Sequence, residues 1–413
     1  MSTDKNKFTR FLYRFRREFL IFSLLLFTLL STLPAELHGW NSIWYAMDYS
    51  LGMDSRLFIG SLLKPFYPQF LPAEAVYTFV LLSLILFLAV LSYILGSALR
   101  RIGKTEAEKG LLVLILLYLL CPGSPAYLWS TENMGRFDLY LLLFTLFAAV
   151  VFMNVTSVSL RLLLFTVAGA AALCTHQVFL FIFFPLLFTM YLTSVTEEKA
   201  AGWHKILAAV CIGVLGIVFL YFQFVSHISV SSFEELSALL SARTDLPVNE
   251  TALNYEYFST ISQSAGDLML NELGERLRYG CITVFLLAPL AAVYAYLWTN
   301  IIKACGKGTR LKYLLLLLSH LCFLPAFVLT IDWGRWFGAF LTVQALQIVI
   351  LAAKKDAVIL TALTRLSTAL HKHPYLFILC GIWLGSLHKF QATLLPDAPV
   401  FFSSAYRLFH ILF

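Results

Sequence analysis

Residues 74–98 read EAVYTFVLLSLILFLAVLSYILGSA, and Glu74 is the one charged side chain in this run. About 18 consecutive apolar residues are enough to cross the hydrocarbon core of a bilayer as a helix. Comparable runs recur along the whole chain, a pattern too extensive for a cleaved signal peptide. The sequence therefore predicts an integral membrane protein.

The composition points the same way. Of the 413 residues, 60% are hydrophobic and 13% are charged, about half of the roughly 25% charged content of soluble domains. We predict an all-α, polytopic transmembrane helical bundle of about eleven spans, near residues 19–34, 74–98, 110–124, 137–154, 159–175, 178–195, 205–226, 279–302, 312–331, 335–353 and 374–388. The domain plan is a basic cytoplasmic N-terminus at 1–18 and a single transmembrane domain at 19–413.

Lysine and arginine placement predicts the orientation, because cytoplasmic loops of membrane proteins are enriched in them. With the N-terminus in the cytoplasm, 21 of the 30 Lys and Arg residues lie inside, and 16 of the 23 acidic residues lie outside. An odd number of spans places the C-terminus outside. The net charge of +7 is dispersed over short loops, so we expect no nucleic-acid partner. A bacterial inner (plasma) membrane is the expected location.

Two long segments fall on the predicted outer side, the first loop (residues 35–73) and the second loop (residues 227–278). In the first loop, Trp40, Trp44 and Met47 recur at helical spacing. Because Trp and Tyr favour the membrane–water interface, we interpret this segment as amphipathic interfacial helices. In the second loop, Ser229–Ser241 is predicted to be helical.

Ionisable residues collect at the predicted outer ends of the helices. Charged groups are costly next to hydrocarbon, so such residues suggest a functional site. The candidate catalytic residues are two carboxylates of the first loop, Asp48 and Asp54. The candidate substrate-binding or phosphate-binding residues are Arg56, Glu132, Arg136, Asp138, His176, Gln177, Asp332, Arg335, His388 and Lys389.

Each group also has a structural interpretation. Asp138 and Asp332 can cap helices or pair with Arg136 and Arg335 as salt bridges at the rim of the bundle. His176 is less easily explained in this way, since a tight turn between two helices needs no imidazole. The functional hypothesis therefore rests on several charged groups converging on one side.

The residue types suggest group transfer. Carboxylates serve as general bases or metal ligands, and arginine binds phosphate oxygens in bidentate fashion. An apolar bundle beside such groups suits a lipid tail. These features predict transfer of a group, which we expect to be a sugar, from a lipid-linked phosphate donor to a glycan or lipid acceptor at the membrane surface. A divalent ion such as Mg or Mn is compatible with this chemistry but not required, and no other cofactor is predicted.

The layout resembles the GT-C superfamily of polytopic membrane glycosyltransferases, including those of surface-polysaccharide biosynthesis. These enzymes use polyprenyl-phosphate sugars, and their first outer loop begins with interfacial helices and carries an acidic catalytic base. The resemblance implies that Asp48 or Asp54 is that base and that Arg335 or His176 contacts the donor phosphate. The Trp-Trp-Asp-Tyr-Gly motif of oligosaccharyltransferases is absent from the sequence.

Three alternatives remain open. A polysaccharide polymerase of the O-antigen or capsule type would share the donor and the compartment, and would depend on outer arginines more than on a loop carboxylate. A lipid or solute transporter usually has repeat symmetry and polar groups near the bilayer midplane. A purely structural or assembly role is the third.

Overall fold

The computed structural model of the protein describes residues 13–30, 33–121, 123–124, 133–197, 200–258, 273–329 and 332–387. Helices dominate it. In chain order they are α1 (Arg16–Leu30), α2 (Gly39–Ser42), α3 (Phe58–Leu63), α4 (Ala73–Ile102), α5 (Glu106–Leu120), α6 (Asp138–Asn154), α7 (Val158–Thr175), α8 (Phe179–Ile182), α9 (Phe184–Thr196), α10 (Gly202–Phe224), α11 (Phe233–Arg243), α12 (Glu250–Leu253), α13 (Leu273–Ala304), α14 (Arg310–Leu318), α15 (Leu324–Leu329), α16 (Trp333–Ala353), α17 (Ala357–Lys372) and α18 (Pro374–Ser386).

Shorter elements complete the described chain. The 3-10 turns are Ile43–Ala46, Tyr49–Leu51, Ser55–Leu57 and Ser319–Phe323, and a π-helical turn spans Asn254–Phe258. Two strands, β1 (Gly52–Met53) and β2 (His227–Ile228), form the one sheet seen in the described residues. The predicted helix at Ser229–Ser241 corresponds to α11.

Six helices within the described residues are long and apolar enough to cross a membrane: Ala73–Ile102, Val158–Thr175, Gly202–Phe224, Gly280–Ala304, Arg310–Val328 and Trp333–Ala353. Shorter apolar helices are Asp138–Asn154, Phe184–Thr196 and Pro374–Ser386. The predicted all-α membrane class is thereby confirmed, while the count of eleven spans stays a prediction.

Helix α16 lies at the centre of the bundle and is buried on all sides. Its interior amides are satisfied by neighbouring helices: the Trp298 indole donates to Gln344 Oε1 at 2.5 Å, and Gln347 Nε2 donates to Thr189 Oγ1 at 2.8 Å. Buried polar groups need such partners. These bonds lie on one face of α16 and therefore fix how the helix is rotated against α9 and α13.

An ion-pair network closes one end of the bundle, here called the Lys354 end. Arg161 of α7 is fully buried and donates to both carboxylate oxygens of Glu197, at 2.9 and 2.6 Å. Lys354, just beyond α16, reaches the same carboxylate at 3.2 Å. Glu197 therefore connects α7, α9 and the central helix.

Helix α17 occupies residues that the sequence analysis treated as a connecting segment. Ile359, Ala362, Leu363 and Leu366 form a buried stripe at helical spacing, while the residues between them are largely polar and exposed. At Gly110 a side chain would collide with the Leu363 carbonyl, so glycine permits α17 to lie against α5. The stripe is too narrow to appear as an apolar run in the sequence.

The Glu197→Gln substitution tests the network at the Lys354 end. Removing the carboxylate charge leaves the Arg161 guanidinium buried and unpaired, which costs about 3 kcal/mol in the free energy of unfolding. Melting in nanodiscs should show this loss, and Glu74→Gln, at an exposed position, is the control. Equal melting temperatures for the two variants would contradict the assignment.

Candidate functional site

The two long loops pack against each other at the end of the bundle opposite Lys354. Strands β1 and β2 pair antiparallel, with Gly52 opposite Ile228. Farther along, the Leu71 amide donates to the Arg243 carbonyl at 2.7 Å. Each loop therefore holds the other in place, and their charged side chains are brought over the ends of the helices.

Gly52 is required at the strand pairing. Its φ of +133° belongs to a region that residues with side chains rarely adopt. A Cβ at this position would also come within 2.6 Å of the His227 carbonyl oxygen. The close approach at Gly52 brings the following residues, among them Asp54, to the end of α10.

Asp54 lies at that point. Its Oδ2 accepts a hydrogen bond from Ser226 Oγ at 3.2 Å. The neighbouring Ser55 hydroxyl donates to Gln177 Oε1, which connects the first loop to the turn after α7. No ion pair to Asp54 occurs within the described part of the chain, so its carboxylate is held by hydroxyl groups alone.

Arg56 is enclosed by three side chains. Its guanidinium stacks over the Trp44 ring at 4.7 Å, and its Nη2 lies 3.0 Å from His176 Nε2 and 2.8 Å from Glu256 Oε2. A guanidinium can only donate, so Nε2 of His176 accepts and the imidazole is neutral. Burial lowers the pKa of His176 well below its usual value, and the charges of Arg56 and Arg335 lower it further.

Arg335 lies in the first turn of the central helix and pairs with two carboxylates. Its Nη1 donates to Asp138 at 2.5 Å, its Nη2 pairs with Asp332, and its guanidinium lies over the Trp336 ring. The cavity beside the Asp138–Arg335 pair has a volume of about 10 Å³, which is room for one water at most. Both carboxylates thus form salt bridges with Arg335, and neither pairs with Arg136 as the sequence had also suggested. The two pairs leave Arg335 little capacity for a ligand.

Arg136 differs from the other two arginines. It lies two residues before α6 begins, and among the described residues its side chain has no hydrogen bond or ion pair, although its Nε is buried. Burial lowers its pKa to about 10, the nearby charges of Arg335 and Arg56 contribute in the same direction, and the carboxylates of Asp332 and Asp138 oppose them. We call Arg56, Arg136 and Arg335 the arginine cluster, since their charges act on one another or on His176.

Several buried polar atoms in and around the arginine cluster lack a partner within the described residues. They are Nε of all three arginines, Oδ1 of Asp138 and the hydroxyl of Tyr257. Native proteins leave few such atoms, because an unsatisfied buried donor or acceptor costs about 1–3 kcal/mol. Unsatisfied donors around an unpaired guanidinium are what an anion-binding site presents before its ligand arrives.

Asp48 does not join this group. Its carboxylate accepts from Lys64 at 2.7 Å and pairs with Arg243 at 3.3 Å, and it caps the next turn through the Ser50 amide. Burial raises the pKa of Asp48, but the bonds from Lys64 and Ser50 outweigh this effect and hold it below its usual value. Asp48 thus connects the two loops, while the charge of Asp54 acts on Glu256, the partner of Arg56.

The structure brings together Asp54, Arg56, Arg136, Asp138, His176, Gln177, Asp332 and Arg335 at one end of the bundle. Glu132, His388 and Lys389 lie outside the described residues. Glu256, Tyr257 and Trp44 were not predicted from sequence. The one signal for Glu256 is an acidic residue set among aromatic residues in the run YEYF at 255–258.

The described residues offer little support for a bound metal. No group of three or more His, Cys, Asp or Glu side chains within the described ranges could hold a metal ion. Asp138 and Asp332 are both engaged by Arg335, and Asp54 has hydroxyl partners. An anion fits these donors better than a cation does.

No protein family, curated protein or solved structure matches this chain.

The Asp48→Asn substitution separates the two loop carboxylates. A carboxylate with a lowered pKa stabilises the fold above its unfolded pKa of about 4, and this contribution is lost as the pH falls through the folded pKa. We expect Asp48→Asn to lower the free energy of unfolding by about 1 kcal/mol at pH 7, with the difference from wild type shrinking below pH 4. Asp54→Asn, which breaks no ion pair, should melt like wild type. Melting curves between pH 3 and pH 7 measure both, and a larger loss in Asp54→Asn would refute this distinction.

Proposed function

We propose that this chain is an integral membrane glycosyltransferase. It moves a sugar from a polyprenyl-phosphate-linked donor to a glycan or lipid-linked acceptor. The observation that carries the proposal is the half-buried side chain of Arg136, whose Nε is buried and whose guanidinium has no partner among the described residues, beside Arg56 and Arg335. An unpaired buried charge is costly, and a phosphate group would relieve that cost through charge-assisted hydrogen bonds.

The proposed topology has eleven spans in a bacterial inner membrane, with the N-terminus in the cytoplasm and the C-terminus outside. The charge distribution supports it. On this topology the Lys354 end, with Arg161 and the basic residues of α17, faces the cytoplasm, as the positive-inside tendency favours. The two loops and the arginine cluster then face the non-cytoplasmic side, where polyprenyl-linked sugars and their acceptors meet.

The proposed chemistry assigns separate roles to the two unpaired ionisable groups. The oxygen of the acceptor hydroxyl attacks the anomeric carbon of the donor, and its proton passes to the Asp54 carboxylate. The bond between the anomeric carbon and the phosphate oxygen breaks, and its electron pair leaves on the phosphate. Arg136 binds that phosphate, Arg56 assists it, and His176 orients Arg56 by accepting from its guanidinium.

A polysaccharide polymerase is the second candidate. The observation in its favour is that three arginines meet at this site, since such polymerases would depend on outer arginines rather than on a loop carboxylate. Both candidates share the lipid-linked donor, so phosphate binding does not separate them. The role of Asp54 separates the two candidates, because the transferase would need it as a base and the polymerase would not.

Arg136→Gln tests the anion site with two readouts. Because it removes a half-buried charge that lacks a partner among the described residues, the variant should melt at or above the wild-type temperature without ligand. Its affinity for polyprenyl phosphate in nanodiscs should fall by roughly 10- to 100-fold, as lost hydrogen bonds between charged groups predict. Arg365→Gln, on the exposed face of α17, should change neither. Lower stability with unchanged binding would show that Arg136 is structural.

Asp54→Asn tests the base. Loss of a general base lowers the rate by about 10²- to 10⁴-fold, so sugar transfer to the acceptor should fall by that factor while polyprenyl phosphate still binds. The measurement is single-turnover transfer from a radiolabelled polyprenyl-phosphate sugar. Transfer at the wild-type rate would reject Asp54 as the base and favour the polymerase.

A further inference from the structure

Glu256 occupies the nitrogen of Arg56 that an anionic ligand would need. Nη2 of Arg56 contacts both His176 Nε2, at 3.0 Å, and Glu256 Oε2, at 2.8 Å. A guanidinium NH₂ group has two hydrogens, so these two contacts use both. Nε of Arg56 is buried and has no partner within the described residues. The two adjacent pairs of donors on a guanidinium, Nε with Nη2 and Nη1 with Nη2, both include Nη2. A bidentate anion therefore has to replace one of the two contacts of Nη2, and Glu256 is the one whose negative charge it repels.

The carboxylate of Glu256 resembles the proposed ligand. Like a phosphate, it presents acceptor oxygens and negative charge to a guanidinium. Its side chain is about 14% exposed, and it belongs to the short π-helical turn Asn254–Phe258 rather than to one of the long helices of the bundle. π-Helical turns are rare and occur frequently at functional sites. The contact between Glu256 and Arg56 can thus be exchanged without disturbing the bundle.

The charges around Glu256 make this exchange sensitive to protons. The charged groups that act on it are Arg56 and Asp54, both from the first loop, and Tyr257 is its titratable neighbour on the same turn. Burial raises the pKa of Glu256, Arg56 opposes this effect, and Asp54 adds to it. If a phosphate replaces Glu256 at Arg56, Glu256 loses its favourable interaction with the charge of Arg56 and keeps its unfavourable interaction with Asp54. Its ionised form then becomes costly in a largely buried site.

From these contacts we infer that Glu256 is a displaceable counter-ion, which a phosphate group replaces at Arg56 while the Glu256 carboxyl takes up one proton from solvent. The inference rests on the proposed function, because it concerns how the same site accepts its donor. It gives the site selectivity, since a weak anion cannot displace Glu256 whereas a phosphate in bidentate contact can. It also provides a route for product release, because Glu256 returns to Arg56 when the phosphate departs.

The experiment uses the full chain in nanodiscs. Binding of polyprenyl phosphate and, separately, of inorganic phosphate is measured by calorimetry between pH 5.5 and pH 8, in buffers of different ionisation enthalpy. The variants are Glu256→Gln and Glu256→Ser, with Glu250→Gln as the control at an exposed position of the same loop. The phosphate titrates with a pKa near 6, but this contribution is common to all proteins and cancels in the differences between them.

We expect wild type and Glu250→Gln to take up close to one proton more than the two Glu256 variants. Above the pKa of Glu256, wild-type affinity should fall by up to about tenfold per pH unit relative to the variants, as proton linkage requires. At pH 8 both Glu256 variants should bind at least about tenfold tighter than wild type. A difference seen with the lipid probe alone identifies a lipid headgroup as the ligand, while a difference with both probes shows that the phosphate group suffices.

Two results would overturn the inference in distinguishable ways. If Arg136→Gln weakens binding but both Glu256 variants bind like wild type or weaker, with the same proton uptake, Glu256 is not displaced and the proposed function stands. If wild type binds neither probe, the proposed function fails and the inference fails with it. The serine variant guards against a folding defect in the glutamine variant, since both neutral replacements must agree.

Discussion

The buried contact between Arg335 and Asp138 is the constraint on which the functional end of the bundle depends. Arg335 lies in the first turn of the central helix, Asp138 begins α6, and their side chains meet at 2.5 Å with little exposure to solvent. Breaking such a pair leaves an uncompensated buried charge, so the two helix starts cannot move apart independently. The pair fixes where α6 begins, and therefore where Arg136, two residues earlier, is placed. The pair between Arg335 and Asp138 therefore also affects where the unpaired guanidinium of Arg136 lies.

Both ends of the central helix carry an ion-pair network, but the two networks differ in the groups that surround them. At one end Lys354 joins Arg161 and Glu197, and at the other Arg335 joins Asp138 and Asp332. In the first network each of the three groups takes part in an ion pair, because Arg161 and Lys354 share the Glu197 carboxylate. The second has Arg136 and Asp54 beside it without ion pairs within the described residues. Within the described residues, Arg136 and Asp54 thus stay without ion pairs at the same end of the bundle. One is a cation that can bind a ligand, and the other is a carboxylate that can accept a proton.

The first loop shows how near neighbours in sequence acquire different roles. Asp48 is held by Lys64 and Arg243 and stabilises the contact between the loops. Asp54, six residues later, has hydroxyl partners and lies beside Glu256 and Arg56. Glycine at position 52 separates them, because its positive φ lets the chain pair with β2 and change direction. In sequence both carboxylates looked equally suited to act as a base, and only their partners in space separate them.

The sequence by itself determined the all-α membrane class, because long apolar runs have few alternatives to helices in a bilayer. It also placed the ionisable residues at helix ends, since charge is costly in hydrocarbon. It missed α17, whose apolar stripe emerges only when packed on α5, and it missed Glu256, whose partner Arg56 lies 200 residues earlier. Which charges are neutralised and which stay unpaired was decided by tertiary structure alone, because an ion pair depends on distances of a few ångströms between residues that the linear order keeps far apart.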